Sequence, residues 1–398
     1  MIDLKDPAFL AGDRSAGYAD LRARAPVYRV PDTDTWLLSR HADVQLVLRK
    51  AEGRVQPPGT DAPPWMQPGP GLERMKANLA QTDDPIHARL RSVVGPFFVP
   101  RNLEKLREVS AASVRRAVDA LPDGDASIDV VTQVAGLVPR GAICHLLGIP
   151  DADWERLVAV QHDFLLIFSP FPLSDDERER LDKVAAFYRD YFSGLLDNPD
   201  TVRNSLLAPH LLEAERAGTL SRAEVVSLMH TVLDAGYETT RTSISNAVEL
   251  LAQKPELHAQ LRDDPSLMVG AIEEILRVRT PIHLRHRFLA ESFTASDGTV
   301  IPEGAEVLLM LASANRDAAM FPEPDRIDFR RGNAGRHLAF GGGLHHCLGA
   351  PLARIQLQET LRALTATFRR FELSAGPGKR YPSVKFPSLM SLPVTGQR

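Results

Sequence analysis

The stretch Phe340 to Gly349, FGGGLHHCLG, holds Cys347, one of only two cysteines in 398 residues, just behind His345 and His346. A cysteine here could be a metal ligand, a reactive nucleophile or a small buried residue. Gly341, Gly343 and Gly349 let the backbone turn tightly and approach another group closely. In the following LGAPLARIQLQETLRALTATF, Leu348, Leu352, Ile355 and Leu361 recur at helical spacing, so the thiol stands at or near a helix N-terminus. Free N–H groups and the helix dipole favour the thiolate there, and a protected thiolate suits a soft metal. A zinc site with both histidines stays open, although no C-x-x-C occurs and adjacent histidines rarely reach one ion.

Several elements must position this loop. Ser221 and Glu224 form a capping box, and the helix they open should run to the stop at Pro255, roughly 33 residues or about 50 Å. It is apolar on more than one side, as for a helix through the middle of a molecule. Inside it AGYETT breaks the rules, because Gly236 costs about 1 kcal/mol relative to alanine and Thr239-Thr240 are mediocre helix formers. APVYRV and TWLLSR alternate like paired strands, and Asp297-Gly298 turns between strand-like runs in SFTASDGTVIPEGAEVLLML. The remainder is mostly helical in pattern.

Composition narrows the function. The balance of 47 basic against 51 acidic residues, with no long run of either sign, offers nothing to nucleic acid or an anionic membrane. No uninterrupted apolar run of about 18 residues and no signal-peptide order at the N-terminus appear, which suggests a cytoplasmic protein without a membrane anchor. Two cysteines give no disulfide framework. No repeat or linker divides the chain, so one domain over residues 1–398 is expected.

The ten residues match Phe-Gly-x-Gly-x-His-x-Cys-x-Gly, and on them the chain resembles the cytochrome P-450 haem-thiolate monooxygenases of soluble bacterial type. The resemblance implies a mainly α fold with small β-sheets, built as a triangular helical domain with a long central helix and a smaller β-rich region. Cys347 would be the axial thiolate of a non-covalent haem b, with Phe340, Gly341 and Gly349 shaping its loop. Glu274-x-x-Arg277 in EEILR would be the family's buried pair behind the loop, with Arg326 as third partner. His87 and Arg91, in TDDPIHARLRSVVGPFFVPR, together with His345 and either Arg287 or Arg285, would face the haem propionates. On the long helix Ala235 and Gly236 would border the haem, Gly236 letting the helix open locally, and Glu238 and Thr239 would form an acid-alcohol pair that delivers protons.

By the same resemblance the enzyme would activate dioxygen with two electrons from NAD(P)H through a ferredoxin reductase and a ferredoxin. It would then hydroxylate, epoxidise or dealkylate a hydrophobic small molecule, working as a monomer. The pocket would be walled by Trp65, Met66, Leu166, Phe168, Val232, Ala235, Ile282, Leu284, Leu389 and Met390. A peroxide-dependent haem-thiolate enzyme and a non-catalytic haem sensor are the rival readings; the Glu238-Thr239 pair argues against the first.

Overall fold

Mainly helical architecture with small sheets, as expected, is what the computed structural model shows over the residues it describes, 2–31, 33–49, 53–122 and 126–397. Contacts group the chain into two compact units, neither continuous in sequence: Met1–Gly53, Ser110–Pro139 and Glu238–Arg398 form one, Arg54–Val109 and Arg140–Tyr237 the other.

In the first unit a mixed sheet lays Val27–Arg29, Thr35–Leu38, Glu306–Leu309 and Arg285–Leu289 side by side. The expected pairing of Val27–Arg29 with Thr35–Leu38 is antiparallel, Val27 opposite Leu38. Glu306–Leu309 runs parallel to Thr35–Leu38 and antiparallel to Arg285–Leu289, setting Arg287 opposite Val307. The Asp297-Gly298 turn joins Phe293–Thr294 to Val300–Ile301, and Gly298 takes φ 88°, a left-handed conformation that suits glycine. A second sheet pairs Pro393–Gln397 with Ser127–Asp129 and Arg370–Leu373.

Helices of this unit bury an apolar cluster. Ile244, Val248 and Leu251 pack with Ile272 and Ile275 of helix Met268–Val278 and with Leu357, Leu361 and Leu364 of helix Ala350–Thr367. These positions repeat three or four apart, and each such side chain stabilises by about 1.5–3 kcal/mol when fully buried.

The second unit is helical. Asp175–Leu196 starts on a capping box in which Ser174 accepts from the Glu177 N–H and the Glu177 side chain returns to Ser174. It buries Leu181, Val184, Tyr188 and Phe192, and the Tyr188 hydroxyl donates to the Leu157 carbonyl at 2.6 Å. Both units share the long helix, which spans Arg222–Gln253 with the Ser221–Glu224 capping box in place. Its α-helical course continues through AGYETT, so Gly236 does not open it. The propensity cost of one glycine is small beside the burial of the flanking turns.

Candidate functional site

Two left-handed glycines shape the cysteine loop: Gly341 at φ 69° and Gly343 at φ 64°. A Cβ on Gly343 would come within 2.2 Å of the Leu48 carbonyl oxygen, so no other residue fits that position. The Cys347 N–H donates to the Phe340 carbonyl at 3.0 Å, closing the loop three residues before helix Ala350–Thr367. The thiol itself is exposed, against the habit of free cysteines to be buried. The other cysteine, Cys144, is half-buried; burial first, and then Asp151, push its thiol up to about 12, which leaves it inert.

Glu273 braces the loop from both ends. Arg354, about one turn into the cysteine helix, grips its carboxylate at 2.6 and 2.8 Å, while its guanidinium also covers the Phe340 ring at 4.5 Å. His337, before the loop, lies 3.3 Å from the same carboxylate. Burial alone would raise the Glu273 carboxyl, but the Arg354 hydrogen bonds and the adjacent His337 outweigh it and hold the group down to about 2. Glu273 escaped the sequence reading because it is one acid among many; only its packing on Arg354 sets it apart.

The neighbouring Glu274 makes the expected pair. Arg277 donates to both its oxygens at 2.8 Å, with neither side chain accessible at all. Arg277 also donates to the carbonyls of Asn315 at 2.9 Å and Pro324 at 2.8 Å, and Glu274 accepts the Asp328 N–H at 3.0 Å. The pair thus ties helix Met268–Val278 to the irregular segment leading into the cysteine loop.

The third partner is Arg331, not Arg326. Arg331 donates to Glu274 at 3.0 Å and to three backbone carbonyls, whereas the Arg326 side chain is exposed on Glu323 and contributes only its carbonyl to Arg277. Arg326 and Arg331 lie in a coil without period, so spacing does not say which side chain turns inward. Arg331→Ala should lower unfolding stability by about 1.5–3 kcal/mol, as for lost bonds to a charged group, and Arg326→Ala by less than about 1 kcal/mol. Equal losses in paired denaturant titrations would count against this assignment.

Along the long helix every residue from Val225 to Leu251 is buried except Val232, Ala235, Gly236 and Thr239. Those four stand at i, i+3, i+4 and i+7, a single stripe of small side chains on one face. All four were expected at the site. Glu238 lies off the stripe, 2% accessible, with its carboxylate on Arg241 at 2.7 Å, and Arg241 in turn donates to the Leu389 carbonyl at 3.0 Å. The acid and the alcohol are therefore adjacent in sequence but differently placed, one ion-paired in the core and the other on the accessible stripe.

The basic residues expected at the propionates are distributed as follows. In the second unit His87 and Arg91 stand four apart on helix Ile86–Val94, His87 buried and Arg91 half-buried. His87 donates Nδ1–H to the Leu79 carbonyl at 2.9 Å. In the first unit Arg285 and Arg287 share one face of their strand, Arg287 buried and Arg285 half-buried, with one Arg287 amino group on the His286 carbonyl at 2.8 Å. His345, half-buried, ends the turn Gly343–His345.

The expected pocket walls divide. Leu284 and Leu389 have essentially no accessible surface, and Leu389 packs in the core cluster with Leu392, so neither is a wall. A wall residue keeps a face that a ligand covers; these keep none. Phe168 and Ile282 are nearly as buried, while Trp65, Met66, Leu166 and Val232 are half-buried and Ala235 and Met390 exposed.

These residues fit a haem held through sulfur. The thiol is accessible at the entry to a helix, its loop leaves close approach open at the glycines, and the stripe on the long helix carries no bulky side chain. Zinc does not fit: among the described residues no three of His, Cys, Asp and Glu cluster to hold a metal ion.

Comparison with known proteins agrees. Residues 151–397 match the family model for cytochrome P-450. The chain is 34% identical over 403 residues to the cytochrome P-450 monooxygenase PikC of Streptomyces venezuelae, covering 98% of this chain and 92% of that one. It is 35% identical over 354 residues to the mycinamicin IV hydroxylase/epoxidase of Micromonospora griseorubida, covering 87% and 86%. Its fold matches that of P450BioI in complex with an acyl carrier protein carrying hexadec-9Z-enoic acid, with TM-score 0.89, 26% identity and 98% and 99% coverage. The chain belongs to the bacterial cytochrome P-450 family and is a haem-thiolate monooxygenase with non-covalent haem b.

Proposed function

We propose that this monooxygenase takes two electrons from NAD(P)H through a ferredoxin reductase and a ferredoxin, and hydroxylates, epoxidises or dealkylates a hydrophobic small molecule. The observation that carries the reading is the stripe Val232, Ala235, Gly236 and Thr239, a strip of small and apolar surface with one hydroxyl on a helix otherwise buried from Val225 to Leu251. A bound haem would supply dioxygen activation; Cys347 would hold its iron through sulfur, and Phe340, Gly341 and Gly349 would shape the loop around it. The protein works as one cytochrome P-450 domain and as a monomer in the cytoplasm; no helix among the described residues is long and apolar enough to cross a membrane.

The chain's own residues then have distinct tasks. His87, Arg91 and His345, with Arg287 rather than Arg285 because it is the more buried, neutralise the propionates, which need cationic donors if they are to leave water. Thr239 would present a proton-donating hydroxyl on the open stripe, and Glu238 would replenish it once its carboxylate leaves Arg241 and takes up a proton from water. Trp65, Met66, Leu166, Val232, Ala235 and Met390 meet the substrate, with the nearly buried Phe168 and Ile282 backing them.

Thr239→Ala should keep NAD(P)H consumption within about twofold while product falls roughly tenfold or more and peroxide accounts for the difference, as when a positioned proton donor is removed. Coupling equal to that of the unmodified enzyme would remove Thr239 from the reaction. A peroxide-dependent enzyme would instead give product with peroxide and without ferredoxin, and a sensor would give none with either.

A further inference from the structure

The N-terminal half of the long helix carries a second polar cluster that the reaction above leaves unused. Arg74, on helix Pro70–Lys76, makes three hydrogen bonds, all to neutral groups of the long helix. Its Nε donates to His230 Nδ1 at 3.0 Å, and its two amino groups to Ser227 Oγ at 2.8 Å and Thr231 Oγ1 at 2.9 Å. By accepting from Arg74, the His230 ring shows that it is neutral, and burial first and then Arg74 push its pKa well below the ordinary value. Burial takes the Arg74 guanidinium only down to about 10, so it stays cationic at neutral pH.

This cation lacks a close counter-charge. Among the described residues no carboxylate lies within ion-pair distance of Arg74, and the nearest acid acting on it, Asp234, has its carboxylate engaged by Gln161 Nε2 at 2.7 Å. That bond also orients the Gln161 amide, leaving its buried Oε1 without a hydrogen-bond partner. A desolvated guanidinium among neutral acceptors is incomplete, because its planar fork suits the two oxygens of a carboxylate.

The cluster is also reachable. Arg74 keeps 9% and Thr231 8% of their surface accessible, the most of any member. Thr231 stands four residues before the exposed Ala235 and eight before Thr239 on the same helix, about 6 and 12 Å along its axis. The accessible stripe therefore ends, on its N-terminal side, at a buried cation.

We propose that Arg74 is a specificity-determining residue: the substrate is an apolar molecule bearing a carboxylate, which the Arg74 guanidinium receives while the carbon to be oxidised lies farther along the stripe, towards Ala235 and Thr239. Thr231 and Ser227 hold the fork in place, and His230 stays a neutral acceptor that adds no competing charge. This assignment rests on the monooxygenase reading and names the substrate class for it.

The test is a spectral-shift titration of the haem-loaded enzyme with two series of probes. One is decanoic, dodecanoic and tetradecanoic acids with their methyl esters, the other 4-phenylbutanoic acid with its methyl ester. In the unmodified enzyme at least one acid should bind about tenfold or more tighter than its ester, as for a bond between charged groups. Arg74→Gln should erase that preference while ester affinity and the thiolate-type carbonyl spectrum stay unchanged; Arg74→Lys should retain part of it. Acid and ester binding alike in both series, or Arg74→Gln weakening both equally, overturns the assignment. Loss of the thiolate-type carbonyl spectrum in the unmodified enzyme would sink the haem-thiolate reading instead, so the two failures are distinct.

Discussion

Cys347→Ala should yield a folded protein whose reduced carbonyl complex no longer shows the thiolate-type Soret band and whose product formation falls to background. Cys347 belongs to neither apolar core cluster of its unit, so its removal leaves no cavity there. The loop does not depend on the thiol: it is closed by the Cys347 N–H on Phe340, by the left-handed Gly341 and Gly343, and by Arg354 on Glu273. What disappears is the thiolate that would hold the haem iron and lend it electron density. Absorption spectra and haem content separate this from unfolding. A thiolate-type band persisting in the alanine variant would exclude Cys347 as the ligand.

Glu274→Gln should cost about 3–5 kcal/mol, because it leaves Arg277 buried opposite a neutral amide. That is a large part of a typical stability of about 5–15 kcal/mol, so the variant should express poorly and retain little haem. The damage should extend beyond the pair, since Glu274 also holds the Asp328 N–H and Arg331, and Arg277 holds the carbonyls of Asn315 and Pro324. Those bonds order the coil before the cysteine loop. Thermal unfolding and haem retention, compared with Glu273→Gln, give the measure. A Glu274→Gln protein as stable as the unmodified one would mean that the coil is held by other contacts.

Some elements are readable from local pattern because their cause is local. The capping box at Ser221 and Glu224, the Asp297-Gly298 turn and the cysteine helix each follow from residues a few positions apart, and each appears where expected. The pair Glu274 and Arg277 is of the same kind, three apart on one helix. Arg331 is not: its side chain reaches Glu274 across 57 residues of sequence, and no periodicity in the intervening coil marks it. Leu284 and Leu389 show the same limit, since an apolar residue looks alike in a sequence whether it lines a pocket or fills a core.

By itself the sequence determined the ligand loop, the helix it leads into, the long helix and hence the family, because a thiolate needs glycines, a helix entry and a cysteine in one short run. Tertiary structure alone decided which face of the long helix is open, that Glu238 is turned into an ion pair while Thr239 is accessible, and that Arg74 is buried among neutral acceptors. Burial and charge pairing depend on what distant segments place around a side chain, and composition or spacing within one segment carries no record of that.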